Sequence, residues 1–242
     1  MPEDVSIALI TGDCLADVWP ITKALFDRYW PDRPWPIYWC HTNQPVPEGT
    51  IPVACSVWPD YAGWVHNMKV MLDVIHTPFL VNWVEDLWLL GSVRTDLLQE
   101  CVQAMRENQD IAATSISHYY HETADKPLYN EHIVEFLPGL PIRVAAIPCI
   151  WRTEVFKRLL QQFATPALFE QTVANELDSL FPQSRVISPR EHAFTICDNA
   201  ISEGHWKTCA IRHAEKEGLS HLLKVDPRGM SPYPSRFPDG NN

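Results

Sequence analysis

Signals that identify several common protein classes are missing from this chain of 242 residues. The seven cysteines are odd in number and form no CxxC pair, so neither a disulfide framework nor a structural zinc site is indicated. The first residues lack the basic flank and apolar core of a signal peptide, and no apolar run reaches the roughly 20 residues of a membrane span. We therefore expect a cytoplasmic protein without a transmembrane segment.

Positive charge is also scarce. The chain has 19 Lys and Arg residues against 30 Asp and Glu residues, which gives a formal net charge of −11. Nucleic acids and anionic membranes are polyanions that attract proteins largely through Lys and Arg, so neither is expected as a partner. A small anionic ligand is still compatible with this charge, because it needs only local hydrogen-bond donors or a metal ion.

The motifs of common phosphate-binding and hydrolytic enzymes are absent as well. No GxxxxGK[ST] loop and no GxGxxG turn follows the first apolar run, which argues against a P-loop ATPase, a kinase and a dinucleotide dehydrogenase. No GxSxG nucleophile elbow is present. His118, His121 and His132 lack the HxxxH spacing of a metal site, and histidines scattered in a tyrosine-rich loop are more often surface or hydrogen-bonded residues than ligands.

The chain does contain a regular alternation of apolar runs and amphipathic segments. The runs predict strands at residues 5–11, 37–40, 51–57, 78–84, 111–117 and 142–148, with shorter strand-like pieces after residue 185. The amphipathic segments predict helices that begin near residues 19, 63, 92, 153, 165 and 206, and the last of these stops at Gly218. The stretch 118–140, rich in His, Tyr and Pro, is predicted to be a loop with little regular structure, of the kind that often forms a lid or binding segment.

This alternation is typical of an α/β fold with a mostly parallel central sheet flanked by helices. No internal repeat or linker interrupts the pattern, so we expect one domain over residues 1–224, followed by a Pro-rich, extended or flexible tail at residues 225–242. In open sheets of this kind, ligands bind outside the carboxyl ends of the strands.

A pair of acids, Glu85 and Asp86, interrupts the apolar run LVNWVEDLWLLGSV at residues 80–93. Burying an isolated carboxylate costs several kcal/mol unless it meets a partner, a metal or a proton. At the carboxyl end of the fourth strand, the pair would share the ligand edge with Asp13 and could hold a divalent cation that bridges to diphosphate oxygens. The alternative from the residues alone is that Asp86 caps the next segment while Glu85 points to solvent.

The ten tryptophans suggest carbohydrate binding, because indole faces stack well on sugar rings. Most are expected to be core residues, and Trp19, Trp39 and Trp83 lie within predicted elements. Trp64 and Trp88, close to the proposed ligand edge, are the better candidates for a sugar contact.

Five segments follow one another along the chain: LITGDCLADVWPITKALFDRYWPDRPWPIYW, GWVHNMKVMLDVIHTPFLVNWVEDLWLL, PCIWRTEVFKRLL, TPALFE and AISEGHW. In this order they resemble segments of a group of bacterial glycosyltransferase-like proteins with a GT-A fold. LITGDCLADVWPITKALFDRYWPDRPWPIYW resembles the first strand and Tyr-Trp-Pro helix end of that group, and GWVHNMKVMLDVIHTPFLVNWVEDLWLL resembles its Gly-Trp helix, strand and acidic motif. PCIWRTEVFKRLL, TPALFE and AISEGHW resemble its Trp-Arg segment, its Pro-Trp-x-Phe-Glu motif and its C-terminal Gly-x-Trp element. The resemblance spans most of the chain and implies a single GT-A-like, Rossmann-like domain.

The resemblance also implies an enzyme that transfers a sugar from a nucleotide-sugar donor to a carbohydrate or glycolipid acceptor. Asp86 would contact the donor sugar or a divalent cation, Mn²⁺ or Mg²⁺. Glu170 matches the Phe-Glu acid of the family and would be the general base, because an inverting transferase needs a carboxylate to take the proton of the acceptor hydroxyl. The alternative for Glu170 is an exposed helical acid. The residues implied for the nucleotide and the rest of the donor are Thr11, Asp13, Asp17, Trp64, Asn67 and Glu85.

Three departures from the family pattern leave another interpretation open. The Trp of the Pro-Trp-x-Phe-Glu motif is replaced around Ala167 and Leu168, the aromatic pair after the acids is Leu87-Trp88, and Leu15 stands where a Tyr is expected. A noncatalytic nucleotide- or carbohydrate-binding protein on the same scaffold would tolerate these changes. A metal-dependent phosphate-ester hydrolase is a third, weaker interpretation.

Overall fold

A computed structural model of the protein describes residues 4–56, 62–116, 129–136, 144, 148–163, 166–197, 199–202 and 204–224. The chain divides into two compact units. The first takes in Met1–Asp13, Asp32–Val84 and Arg94–Ala193, and the second takes in Cys14–Pro31, Glu85–Val93 and Phe194–Asn242. A single domain over residues 1–224 stays a prediction, and the predicted tail at residues 225–242 lies outside the described residues.

The strands and helices of the described residues follow the predicted alternation. The strands are β1 (Val5–Ile10), β2 (Ile37–His41), β3 (Ile51–Ala54), β4 (Phe79–Val84), β5 (Trp88–Leu89), β6 (Ile111–Ser115), β7 (Ile133–Phe136), β8 (Cys149–Arg152), β9 (Arg185–Pro189), β10 (Ile196–Cys197), β11 (Ile201–Ser202) and β12 (His205–Trp206). The helices are α1 (Trp19–Tyr29), α2 (Ala62–Val74), α3 (Thr95–Glu107), α4 (Thr153–Leu160), α5 (Pro166–Leu180) and α6 (Thr208–Lys216), with short 3₁₀ turns at Asp13–Leu15 and Ser220–Leu222.

Eight strands of the described residues form one sheet in the first unit, in the order β3-β2-β1-β4-β8-β6-β9-β7. β1 pairs in parallel with β2 and β4, β2 pairs in parallel with β3, and β6 pairs in parallel with β9. β7 and β8 run antiparallel to their neighbours. This arrangement confirms the α/β class and the mostly parallel, Rossmann-like central sheet.

The middle of the sheet is apolar on both faces. All six residues of β1 are buried, and the first five residues of β4 are buried beside them. Parallel strands that are covered on both sides need continuous rather than alternating apolar runs, which explains the composition of both segments. The polar residue in β4 is satisfied internally, since Oδ1 of Asn82 accepts the backbone N–H of Cys149 at 3.0 Å.

Two strands of the eight-stranded sheet differ from the sequence prediction. β7 lies inside the stretch 118–140, so the prediction of an irregular loop is wrong for residues 133–136; residues 118–128 and 137–140 lie outside the described part of the chain. β8 begins at Cys149, directly after the strand predicted at 142–148, of which only residues 144 and 148 are described. Both strands have only four residues, too few for a two-residue period to stand out from the flanking sequence.

An aromatic cluster fills the core where α2, α4 and α5 of the first unit pack. The ring of Phe169 on α5 lies 6.0 Å from Trp64 on α2, 5.7 Å from Phe156 on α4 and 4.9 Å from Phe163, between ring centroids. Each of these side chains is at most 4 % exposed. Tilted and edge-to-face contacts of this kind add to the stabilisation from burial.

The second unit has its own apolar core. β5 pairs with β10, and β11 pairs with β12, both antiparallel. Trp88 of β5 and Trp206 of β12 are fully buried, with ring centroids 5.6 Å apart. Gly218 follows α6 with a φ of 70°, a left-handed conformation that glycine adopts without strain and that ends the helix, as the sequence predicts.

Among the described helices, none combines the length and the apolar character that crossing a membrane requires.

His213 on α6 makes the stability of the second unit depend on pH. Its Nε2 atom lies 3.1 Å from the carbonyl oxygen of Leu89, and its ring stacks on Tyr29. Burial lowers the pKa of His213, and this effect outweighs the opposite effects of the Leu89 carbonyl and Glu217. The unfolded chain therefore takes up a proton at a higher pH than the folded chain, so stability present above about pH 6.5 is lost as the pH falls below that value.

Replacing His213 by Gln should flatten this dependence, because glutamine does not titrate. We expect Tm to fall less between about pH 7.5 and pH 5 in the variant than in the natural protein, measured by scanning calorimetry. The matched control is His221→Gln, which changes an exposed histidine of the same unit and should leave the pH dependence as it is. Equal slopes for the natural protein and His213→Gln would contradict the assignment.

Candidate functional site

The carboxyl ends of β1, β2 and β3 lie side by side in the first unit, because these strands are parallel neighbours. The residues that follow them are 11–13, 42–44 and 55–56. β4 lies on the other side of β1, with Ile10 opposite Val84 at the ends of the two strands. Open α/β sheets bind their ligands at this edge, so it is the candidate site.

Asp13 holds the backbone of the loop that follows β2. Its Oδ1 accepts the N–H of Thr42 at 2.9 Å, and its Oδ2 accepts the N–H groups of Asn43 at 2.6 Å and Gln44 at 3.0 Å. Partial burial would raise the pKa of Asp13, but the three backbone donors and the nearby His41 lower it below its ordinary value. The ionised carboxylate therefore fixes this loop beside the end of β1.

Asn67 on α2 holds the chain that follows β3. Its Oδ1 accepts the backbone N–H of Ser56 at 3.2 Å, and its Nδ2 donates to the carbonyl oxygen of Ser56 at 3.4 Å. The side chain is 1 % exposed, so this amide is occupied by the protein itself. The same carbonyl accepts a hydrogen bond from the hydroxyl of Thr42 at 3.1 Å, which joins the two loops. The exposed His66 places Nε2 3.2 Å from the hydroxyl of Ser56.

Two thiols connect Thr11 to this region. The backbone N–H of Thr11 donates to the sulfur of Cys40, and the thiol of Cys40 donates to Cys55. The hydrogen bond to Cys55, together with burial, raises the pKa of Cys40, and the same hydrogen bond lowers the pKa of Cys55. Sγ of Cys55 lies 4.0 Å from the carbonyl oxygen of Asn67. Thr11, Asp13 and Asn67 thus come to one edge of the sheet, and their contact with a ligand stays a prediction.

The two tryptophans considered for sugar stacking are both buried. Trp88 has no exposed surface, and its Nε1 donates to the carbonyl oxygen of Glu85 at 3.2 Å within the second unit. Its interpretation as a sugar contact is therefore wrong. Trp64 is 4 % exposed and packs against Phe169, so its proximity to the donor stays a prediction.

Glu85 and Asp86 belong to the second unit. Glu85 is 4 % exposed, so the alternative in which it points to solvent is wrong. Its carbonyl oxygen accepts a hydrogen bond from the hydroxyl of Thr22, and the carbonyl oxygen of Asp86 accepts the N–H of Ala200 at 2.7 Å. These contacts fix the backbone of the acidic pair within its own unit. Asp17 lies half-buried in the same unit, ahead of α1.

Glu170 lies in the first half of α5, and its side chain is outside the described part of the structure. Its neighbour Phe169 anchors α5 against Trp64 of α2, the helix that also carries Asn67. The base role of Glu170 and the alternative of an exposed acid both stay predictions.

A metal site of several protein ligands is not found in the described residues, which contain no group of three or more His, Cys, Asp and Glu side chains that could hold an ion. A Mg²⁺ ion that is bound mainly through substrate phosphates needs only one or two protein carboxylates. Asp86 as a ligand to Mn²⁺ or Mg²⁺ therefore stays a prediction.

Sequence reasoning missed several polar residues at the candidate edge: His41, Thr42, Asn43, Gln44, Ser56 and His66. His41 is the last residue of β2, and Thr42 and Ser56 follow β2 and β3 within two residues. The signal that could have found them is their position at the ends of predicted parallel strands, which is the signal that singled out Asp13.

A groove of about 450 Å³ lies elsewhere in the first unit. It contains none of the residues predicted for the site, and most of its lining comes from α3. Its lining residues are Pro34, Trp35, Gln99, Glu100, Val102, Gln103 and Arg106. The strand edge is the better candidate, because it joins several loops at the ligand-binding side of the sheet.

Replacing Asp13 by Asn should destabilise the protein by about 1–2 kcal/mol at neutral pH, measured by urea unfolding. The amide keeps one acceptor oxygen but turns its NH₂ group toward backbone donors, and partial exposure limits the loss. Because the pKa of Asp13 is lowered on folding, the difference should shrink as the pH falls through that lowered pKa. Asp73→Asn, at an exposed position of α2, should change stability by less than about 0.5 kcal/mol.

No family model matches the sequence, and no curated protein matches it. Solved structures do match. S. aureus TarS 1-349 in complex with UDP-GlcNAc matches with a TM-score of 0.50 and 11 % identity, over 79 % of this chain and 57 % of that chain. An apo UDP-glucose pyrophosphorylase matches with a TM-score of 0.54 and 10 % identity, over 92 % of this chain and 97 % of that chain. The chain spans 57 %, 44 % and 36 % of the first three matched structures. At such low identity, the likeness shows the fold alone.

Proposed function

We propose that this protein is a glycosyltransferase that moves a sugar from a nucleotide-sugar donor to an acceptor hydroxyl, with inversion. The observation that supports the proposal is the pair of fixed loops at the carboxyl edge of β1, β2 and β3. Asp13 orders one loop through three backbone N–H groups, and Asn67 orders the other through Ser56. Loops that are ordered before the ligand arrives lower the entropic cost of binding.

The side chains at this edge suit a nucleotide. Asn43 and Gln44 are exposed and supply both donors and acceptors for a base and a ribose. The exposed His66 and the half-buried His41 offer imidazole N–H groups to diphosphate oxygens. None of these four groups is a carboxylate, and the ionised Asp13 at the same edge is engaged by three backbone N–H groups.

The individual roles follow the resemblance. Asp86 contacts the donor sugar or a divalent cation, Mn²⁺ or Mg²⁺, which would neutralise the leaving nucleoside diphosphate. Glu170 takes the proton of the acceptor hydroxyl as the hydroxyl attacks the anomeric carbon. The nucleotide and donor contacts are assigned to Thr11, Asp13, Asp17, Trp64, Asn67 and Glu85.

The experiment that tests this proposal is a thermal-shift panel of nucleoside diphosphates and nucleotide sugars, with and without Mn²⁺ or Mg²⁺. A ligand at about 100 times its Kd stabilises the fold by about 2.7 kcal/mol, which should raise Tm by about 5–10 °C in a chain of this size. Adenosine and uridine without phosphate serve as controls. If no nucleotide raises Tm under any metal condition, the proposal is abandoned.

A nucleotidyltransferase, which would join a nucleotide to a sugar phosphate, is the second candidate. The likeness to the UDP-glucose pyrophosphorylase structure favours it, because that match takes in almost the whole of both chains. Against it, the segment 11–18 between β1 and α1 contains Asp13 and Asp17 and no Lys or Arg. A nucleoside triphosphate carries more negative charge than a nucleotide sugar and gains more from cationic side chains.

The two candidates differ in their response to pyrophosphate. A nucleotidyltransferase should convert a nucleotide sugar and pyrophosphate to a nucleoside triphosphate and a sugar phosphate. A glycosyltransferase should instead release nucleoside diphosphate in the presence of acceptor and should ignore pyrophosphate. Analysis of the nucleotide products by ion-exchange chromatography distinguishes them.

A further inference from the structure

Two thiols of the second unit face each other. Cys197 is the last residue of β10, and Cys209 is the second residue of α6. Their sulfur atoms lie 3.5 Å apart, and neither residue forms a disulfide. A disulfide bond is about 2.05 Å long, so small side-chain movements would bring the two sulfur atoms to bonding distance.

The two thiols differ in their access to solvent. Cys197 is 5 % exposed, whereas Cys209 is half-buried and lies in the first turn of α6. The N-terminal turn of a helix favours the thiolate form, which is the reactive species. A partly exposed thiol at a helix N-terminus with a covered thiol beside it is the arrangement of an attacking and a resolving cysteine.

The other cysteines do not share this arrangement. Cys101 and Cys149 are fully buried, and burial raises the pKa of each thiol. Cys14 is exposed. Cys40 and Cys55 also share a thiol hydrogen bond, but Cys40 lies within β2 and Cys55 directly follows β3, so neither lies at the start of a helix as Cys209 does.

We propose that Cys197 and Cys209 form a reversible, peroxide-sensitive dithiol site. The thiolate of Cys209 attacks one oxygen of hydrogen peroxide, breaks the O–O bond and becomes a sulfenic acid, while the departing hydroxide takes up a proton to form water. The thiol of Cys197 then attacks the sulfur of Cys209, forms the S–S bond and releases a second water. Two thiols and one peroxide thus give one disulfide and two waters, and a dithiol reductant reverses the change.

The disulfide would join two elements of the second unit. Cys197 lies opposite Trp88 in the pairing of β10 with β5, and Cys209 begins α6. The bond would close a loop that contains β11 and β12. Oxidation is therefore expected to restrain the hairpin formed by β11 and β12 and the start of α6.

Trypsin mapping tests the proposal directly. Cleavage after Arg190, Lys207 and Arg212 gives EHAFTICDNAISEGHWK with Cys197 and TCAIR with Cys209. Each peptide contains one cysteine, so a disulfide joins them into one species, detected by mass spectrometry under non-reducing conditions. After brief treatment of the full chain with hydrogen peroxide, we expect this joined species as the first disulfide to form, and dithiothreitol should separate it.

Variants distinguish the two roles. Cys197→Ser should leave a sulfenic acid on TCAIR that dimedone traps. Cys209→Ser should abolish both the joined species and the trapped acid. Cys14→Ser is the control and should behave like the natural protein. Recovery of the two peptides unjoined while other cysteines are oxidised would overturn the proposal. Pairing of either cysteine with a different one would overturn it as well. The mapping of the natural chain decides the matter even if a variant fails to fold.

Discussion

Replacing Glu170 by Gln is expected to lower turnover of the nucleotide sugar by about 10²–10⁴-fold, the range in which a general base contributes to catalysis. Glutamine has nearly the shape of glutamate but cannot accept the proton of the acceptor hydroxyl. Donor binding should be unchanged, because the amide alters neither the fixed loops nor the acidic pair. Release of nucleoside diphosphate at saturating donor and acceptor measures the effect, and the thermal shift with donor measures the binding.

The matched control is Glu176→Gln, which makes the same change of charge on the same helix. This variant should keep turnover within about a factor of two of the natural protein, since a half-buried structural glutamate contributes little beyond its local contacts. Full activity in Glu170→Gln would show that another group takes the proton. Donor binding without turnover in the natural protein would favour the noncatalytic binding protein instead.

The sequence was enough to predict the centre of the fold. β1 and β4 are apolar along almost their whole length because parallel strands between two layers of helices have no solvent-facing side. The helices α1 and α6 have local start and stop signals: a proline lies in the first turn of α1, and Gly218 follows α6. Signals of this kind depend only on neighbouring residues, so they can be recognised without knowledge of the tertiary structure.

The outer part of the sheet depended on contacts that no local pattern reveals. β8 inserts antiparallel between β4 and β6, and the run CIWR alone does not identify these two distant partners. β7 is an edge strand whose Glu135 forms an ion pair with Arg185 of β9. A sequence of four residues with a charged member does not reveal a distant partner, so the irregular loop was the natural prediction.

At the candidate site, the sequence identified some of the residues but did not reveal their contacts. Asp13 was expected to touch a nucleotide, and in the structure its carboxylate is occupied by three backbone N–H groups of the protein. Asn67 likewise holds Ser56. Each of the two side chains therefore orders a loop of the candidate site. The prediction for Trp88 is wrong because a large aromatic ring near a ligand edge gains more free energy from burial in the core than from exposure to a ligand.

Replacing Phe169 by Ala should reduce the free energy of unfolding by about 3–5 kcal/mol, measured by urea denaturation. The ring has no exposed surface and contacts Trp64, Phe156 and Phe163 at centroid distances of 6.0, 5.7 and 4.9 Å, so its removal leaves a cavity that three rigid rings cannot close. Val74→Ala, at a side chain 45 % exposed, should cost less than about 0.5 kcal/mol. Since Phe169 anchors the segment of α5 that carries Glu170, Phe169→Leu should lose less stability than Phe169→Ala, and turnover should follow the same order. An alanine variant as stable as the natural protein would mean that this aromatic cluster does not hold α5 in place.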